Sequence, residues 1–241
     1  MIDTILFDLD GTLIWMSQQA FIGSYFAKLT RALAGIGLDA GTAVKAVWAG
    51  TGAMLQNDGN KLNRERFWET FSSLMGLSGA RLKAVETACD NFYVSEFDTV
   101  KSAMTPNSRS APLVRGLRAK GYAVILATNP LFPECAVATR LRWIGLSPED
   151  FQYITHYGNS TYCKPNPKYY RELFAKIDRA PENCLMAGNN PAEDLSVDAL
   201  GSKTFLVTDY LENEAGADIT AFRRGTFSEL EAYLEALPPL R

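Results

Sequence analysis

A set of short apolar runs, each breaking off at a polar turn, constrains this chain more than any other feature. Ile5-Leu6-Phe7 stops at Asp8-Leu9-Asp10-Gly11-Thr12, and Tyr122 to Ala127 stops at Thr128-Asn129-Pro130. Cys184 to Ala187 stops at Gly188-Asn189-Asn190, Thr204 to Val207 stops at Thr208-Asp209, and Tyr153-Ile154-Thr155 is a weaker fifth run. Apolar runs of this length without alternation suit strands buried on both faces, as in a parallel sheet. Between them lie helical segments: Pro112 to Ala119, Pro133 to Ile144, Pro167 to Ile177 and Asp194 to Leu200. Prolines mark several starts, and Gly121, Gly145 and Gly201 lie near the ends, which is the expected punctuation. Strand and helix alternate from about residue 110 onward, so the sequence predicts an α/β fold with a doubly wound parallel sheet.

The first strand belongs to that sheet, yet the interval from 15 to 105 reads as all helix. Phe21, Tyr25, Phe26, Leu29 and Leu33 fall on one face at helical spacing, as do Phe67, Trp68, Phe71, Leu74 and Met75. Leu82, Val85, Cys89, Phe92 and Tyr93 form a third stripe, and these stripes read as core. The polar stretch from Thr105 to Ser110 reads as the return to the sheet. The expected organisation is therefore a core domain of residues 1–14 and 106–241 and an inserted all-α domain of residues 15–105.

Composition excludes several classes. The chain has 241 residues, 47% of them hydrophobic and 21% charged, which rules out global disorder and leaves enough apolar residues for a real core. With 24 basic and 27 acidic residues the formal charge is -3, without the basic excess usual for a nucleic-acid binder. No apolar run approaches the ~18 residues of a membrane span. The acidic start lacks a signal peptide's basic region, so a cytoplasmic protein is expected. Cys89, Cys135, Cys163 and Cys184 are widely spaced and read as reduced thiols. His156 is the single histidine and excludes any two-histidine metal site.

Chemistry concentrates at the strand ends. Asp8 and Asp10 are two close carboxylates whose mutual repulsion needs a divalent cation, a lysine or a shared proton to offset it. Thr128 and Asn129 offer a hydroxyl, an amide and backbone N–H groups near a helix start, suited to a phosphate oxygen. Lys164 lies in an extended Cys163-Lys164-Pro165-Asn166-Pro167 turn, and Asp194 follows the turn at Gly188. Each is weak alone, but together they form a pattern at the ends of successive strands.

Here the sequence resembles the haloacid dehalogenase superfamily. Phe7-Asp8-Leu9-Asp10-Gly11-Thr12-Leu13 is similar to its first motif, Lys164 to Tyr170 to its lysine motif, and Ala187 to Asp194 to its metal motif. The resemblance implies a Rossmann-like core with a helical cap inserted after the first motif. It implies a Mg²⁺-dependent phosphomonoester hydrolase acting on a small phosphorylated metabolite through an aspartyl-phosphate. Asp8 would be the nucleophile and Asp10 the general acid/base. Thr128, with Asn129 and Lys164, would bind the phosphoryl group, and Lys164 would also orient Asp8. Asp8, Asp10 and Asp194 would serve the metal, with Glu193 as the alternative to Asp194.

One position departs from the pattern: where the family carries an acid after the metal-motif glycine, this chain has Asn189. An amide adds no negative charge, so weaker metal binding and a site readier for an anion are expected. A sugar-phosphate mutase shares the core motifs, and a non-catalytic phosphate-ligand sensor is the reading that Asn189 motivates. Asp10 speaks against dehalogenation, since a halide leaves without a proton. Trp15, Met16 and Asn57 to Asn60 are candidate specificity contacts. The insert is expected to move relative to the core and to be removable from it.

Overall fold

The protein is described by a computed structural model covering residues 1–240. Six strands, β1 (Thr4–Phe7), β2 (Ala123–Leu126), β3 (Tyr153–Ile154), β4 (Cys184–Gly188), β5 (Lys203–Val207) and β6 (Arg224–Gly225), form one sheet in the order β3-β2-β1-β4-β5-β6. Every pairing is parallel. Side chains along β1 alternate between two helical layers. Ile5 and Phe7 join a core with Leu113 and Val114 of α5 (Ser110–Ala119), Leu141 of α6 (Glu134–Trp143) and Leu230 of α9 (Phe227–Glu235). Leu6 faces the other way, with Ile125 and Met186, onto Tyr169, Tyr170 and Leu173 of α7 (Pro167–Ile177). Burial on both faces explains why these strands carry no polar alternation.

The chain builds outward from β1 to β2 and β3 on one side, then returns to place β4, β5 and β6 on the other. This is a topological switch point, where open parallel sheets form crevices. Phe7 is level with Leu126 and with Ala187, so the residues after all three strands emerge together at one edge. The doubly wound expectation is met. Two details differ from it. Asp194 to Leu200 is not one helix but a short α8 (Pro191–Asp194) followed by a 3-10 segment at Leu195–Leu200. The closing pair, β6 and α9, was not anticipated because β6 is only two residues long.

Between β1 and α5 lie α1 (Gln18–Gly35), α2 (Ala40–Leu55), α3 (Asn63–Met75) and α4 (Gly79–Ser95), then a 3-10 segment at Phe97–Ala103. Capping by Ser17 and Asp39, each accepting from a backbone N–H, starts α1 and α2. The insert leaves and returns side by side, Thr105 N–H donating to Trp15 O at 2.7 Å. It is not packed as a separate body. Phe21, Tyr25, Phe92 and Phe97 share one buried cluster with Leu9, Leu13, Val137 and Leu141 of the sheet domain.

Asn63, fully buried, fastens the far side of the insert. Its N–H donates to Ser160 O at 2.8 Å, and its Nδ2 reaches Pro130 O (3.3 Å) and Cys163 Sγ (3.2 Å). The insert is thus docked on the sheet domain through a shared core.

Candidate active site

Asp8 sits one residue past β1, its N–H still bonded to Ala187 O at 2.9 Å. That ladder bond fixes where its carboxylate points. From the loop before α7, the buried Lys164 sends Nζ to Asp8 Oδ1 (3.0 Å) and to Asp194 Oδ1 (2.7 Å). Asp194 Oδ2 accepts from Asn190 N–H at 2.9 Å, so both its oxygens are engaged. Gly188 makes this possible, because a Cβ there would lie 2.1 Å from Asp194 Oδ2. Gly11 is required for two reasons: its φ is +75°, and a Cβ would meet Asn189 Nδ2 at 2.2 Å.

The electrostatics follow from burial. Burial pushes the Asp8 carboxyl well above its usual range; Lys164 counteracts this, while Asp194 and Asp10 push further up. Lys164 is pulled down by burial, yet Asp194 and Asp8 hold it well above the ordinary ammonium value. The ammonium is therefore firmly charged, and Asp194 is its settled partner.

Asp10 is held by a residue that the strand-end motifs did not reveal. Arg140, on α6 and without exposed surface, places Nη1 2.5 Å from Asp10 Oδ2. Its guanidinium stacks over Phe132, with Cζ 4.5 Å from the ring centre. Asp10 Oδ1 is left without a partner. The sequence did contain a signal: position 140 lies three residues from Val137 and four from Ala136 and Ile144, on the apolar face of its helix. A charge on such a face needs a buried partner.

Asp8 and Asp10 open onto a cavity of about 300 Å³ that runs up into the insert. Thr128 and Asn129 line the same end, as do Glu193 and Glu212. Thr128 is fixed through its carbonyl, which accepts from Thr155 Oγ1 (2.6 Å) and Tyr169 Oη (3.0 Å). Asn129 differs from expectation. Its Nδ2 donates to Glu193 Oε1 (3.1 Å) and Lys164 O (3.3 Å), leaving Oδ1 buried and unpartnered. The next helix begins only at Glu134, so no helix start lies at Asn129. Lys164 supports Asp8 from behind and does not line the cavity, and neither does Asp194.

Of the two candidate acids, Glu193 is the one on the cavity wall, while Asp194 is paired with Lys164. Burial raises the Glu193 carboxyl to about 7. Glu212, also shifted up by burial, was not anticipated, although it lies just past the strand-end turn at Thr208-Asp209. Trp15, Met16 and Asn57 to Asn60 do not line the cavity. Trp15 packs edge-on against Phe227, and Asn57 braces Asn63. His156 accepts from Gly158 N–H at Nδ1 and is structural. Cys163, its thiol pushed up to about 12 by burial, packs beside Asn63.

Asn189 is held from both sides. Its Oδ1 accepts from Thr12 Oγ1 (3.2 Å), and its Nδ2 donates to Tyr210 O (2.7 Å). An acid could not make the second contact. At the polar end of the cavity four carboxylates and no lysine or arginine line the wall among the described residues. Among the described residues no three of these acids converge as a ready ligand set, but the all-oxygen chemistry of the wall suits a hard divalent cation that keeps several waters, such as Mg²⁺.

The family model of the haloacid dehalogenase-like hydrolases matches residues 2–197. The chain belongs to this family of hydrolases. Among solved structures it is similar to a HAD phosphatase from Thermococcus onnurineus, at 16% identity and a TM-score of 0.60, over 99% of this chain and 100% of that one. It is similar to a β-phosphoglucomutase from Clostridium difficile, at 19% identity and a TM-score of 0.56, over 95% of this chain and 93% of the other. A HAD family enzyme from Bacteroides thetaiotaomicron, in complex with magnesium and inorganic phosphate, aligns at 17% identity and a TM-score of 0.52 over 90% of this chain and 100% of that one. At these identities the likeness is one of fold. No curated protein matches the sequence. No helix among the described residues is long and apolar enough to cross a membrane.

Proposed function

We propose that this HAD-like hydrolase is a cytoplasmic phosphomonoesterase acting on a small-molecule phosphate ester, with Asp8 as nucleophile. The observation that carries the reading is the placement of Asp8 and Asp10 on one cavity wall, each with one oxygen engaged by a buried cation behind it. Asp10 is the specific argument for an ester over a halide, since an alkoxide leaving group needs a proton.

Asp8 and Glu193 are the wall carboxylates that would hold Mg²⁺, with waters completing its shell and the Asp10 carboxyl left for the proton. When bound, the cation supplies positive charge against a phosphate that otherwise meets four carboxylates. Lys164 orients Asp8 through Oδ1, leaving Oδ2 to attack phosphorus. The Asp8–phosphorus bond forms as the ester P–O bond breaks, and Asp10 gives its proton to the departing alkoxide. Water then attacks phosphorus, Asp10 takes its proton, and the bond to Asp8 breaks to release phosphate. Thr128 lines the position of the transferring group. The expected insert boundary, 15–105, makes the helical segment the cap over this site, and it supplies the far wall of the cavity.

A mutase remains the second reading, because the fold is shared with a β-phosphoglucomutase. Hydrolysis of p-nitrophenyl phosphate with MgCl₂, in wild type and Asp8→Asn, tests the proposal. Release of p-nitrophenol by wild type and its loss in a folded Asp8→Asn protein are expected. Equal turnover by both proteins would sink the assignment of Asp8.

A further inference from the structure

We propose that the cavity selects the phosphate monoester of a bulky, unhydroxylated apolar alcohol, an inference that rests on the phosphatase reading above and names its substrate class. Beyond the carboxylate end, the wall supplied by the insert includes Phe21, Phe26, Leu29, Val47 and Phe71. Buried polar side chains there are spent within the protein, although Gln18 and Asp90, both exposed, also line the cavity. Tyr25 and Tyr93 bond each other through their hydroxyls at 2.6 Å, and Thr51 Oγ1 donates to Val47 O at 2.9 Å. The Trp68 indole N–H, which has no partner, is left as a single donor. A sugar carries a hydroxyl on nearly every carbon, and each would lose its hydrogen bonds to water here without replacement.

Part of the mouth is apolar as well, beside the exposed Gln18 and Asp90. Trp48 and Leu55 line the cavity while remaining 49% and 45% exposed, and the Trp48 ring stacks on Phe26 at 4.8 Å. Large apolar side chains kept half in water at the rim of an apolar cavity mark a binding surface rather than a closed core. The site is thus divided: four carboxylates for a cation and a phosphate at one end, and an aromatic and aliphatic sleeve at the other. The volume of about 300 Å³ suits a small organic group.

Two measurements test this. The first is kcat/KM with MgCl₂ for ethyl, butyl, hexyl and octyl phosphate, with glucose 6-phosphate and glycerol 3-phosphate as hydroxylated controls. Each buried methylene contributes ~0.8 kcal/mol, so kcat/KM should climb about fourfold per carbon until the sleeve is filled. The controls should fall at least ~100-fold below hexyl phosphate, the penalty for unpaired polar groups. Trp48→Ser and, independently, Leu55→Glu should lower the ratio of octyl to ethyl turnover. A flat series, or controls that match hexyl phosphate, would overturn the inference and leave the phosphatase reading intact.

The second measurement is calorimetric titration of wild type with octan-1-ol, which needs no catalysis. Saturable binding that Trp48→Ser weakens is expected, and absence of saturable binding would overturn the inference by itself. A protein that binds octanol but hydrolyses no ester of the series would retire the phosphatase reading while the apolar site stands.

Discussion

Arg140 and Asp10 form an ion pair whose cation has no other protein partner. Nη1 of Arg140 lies 2.5 Å from Asp10 Oδ2, while Nε and Nη2 are buried without acceptors. Aromatic rings, Phe132 at 4.5 Å and Phe21 at 5.8 Å, cover the guanidinium. The pair does two jobs: it offsets the charge of Arg140, and it fixes the Asp10 carboxylate at the cavity wall. Asp8 stands in the opposite position, because its cation, Lys164, is shared with Asp194.

Removing Asp10 should therefore unbalance the fold as well as the chemistry. Breaking a buried pair by deleting one partner costs ~3–5 kcal/mol. The Asp10 side chain is 32% exposed, so water can recover part of this, and Asp10→Ala should lose about 3 kcal/mol in urea denaturation. Adding Arg140→Met should return much of the loss, since no stranded guanidinium remains. A double variant no more stable than Asp10→Ala would show that the pair is not what Arg140 depends on.

Removing the charge of Asp8 should have the opposite sign. Burial, Asp194 and Asp10 all disfavour its ionised form, and only Lys164 supports it. An amide at position 8 can still accept from Lys164, which keeps Asp194. With chelator at pH 7.5, Asp8→Asn should be as stable as wild type or more so, by up to ~2 kcal/mol, the usual direction for strained catalytic groups. Denaturation curves decide this, and a loss beyond 1 kcal/mol would contradict it.

Docking of the insert depends on Asn63 more than on any hinge. Its side chain accepts from Asn57 Nδ2 at 2.8 Å while bonding to Pro130 O and Cys163 Sγ. Asn63→Ala leaves those buried groups unsatisfied at ~1–3 kcal/mol. We expect a lower Tm and faster proteolysis within 15–105, with sheet strands still protected from hydrogen exchange. Uniform loss of protection everywhere would mean that insert and sheet unfold as one unit.

How much of this was legible in the sequence depended on range. The parallel sheet and five of its six strands were readable, because each of those strands is an apolar run that meets a polar turn. Arg140 was not singled out, because its charge is explained only by Asp10, 130 residues away. The Asp194 and Glu193 choice turned on which side of a one-turn helix faces the cavity, a distinction that adjacent sequence positions do not carry. How the insert meets the sheet domain was not legible, because aromatic stripes reveal a buried face without revealing what covers it: Tyr25 packs against both Phe92 of the insert and Phe132 of the sheet domain.

Asn189 shows the same limit and leads to a sharper test. Replacing it with aspartate looked like a simple gain in metal affinity. In place of the amide that donates to Tyr210 O, Asn189→Asp sets a carboxylate against a carbonyl, at ~1–3 kcal/mol. The variant should have a lower Tm than wild type in chelator, and MgCl₂ should raise its Tm more than it raises that of wild type. Equal stability without metal would show that the Tyr210 contact is dispensable.

The acid on the cavity wall should make stability depend on pH. Burial raises Glu193 to about 7 from an ordinary value of 4.5. The folded state then holds a proton that the unfolded state releases, so between these pH values folding binds protons and stability falls as pH rises. The stabilisation is full below about pH 4.5 and lost by about pH 8, and 2.5 pH units correspond to at most ~3 kcal/mol. Asn129, which donates to Oε1, can still pair with a glutamine oxygen, so Glu193→Gln should fold. In urea denaturation with chelator across pH 5 to 8.5, the stability of wild type relative to Glu193→Gln should decline with rising pH, most steeply from pH 5 to 7, and level off by pH 8. Magnesium should reduce that decline, because a cation beside Glu193 favours its ionised form. Parallel pH curves for the two proteins in chelator would show that Glu193 titrates as an ordinary exposed acid, and the wall facing the cavity would then be wetter than its burial implies.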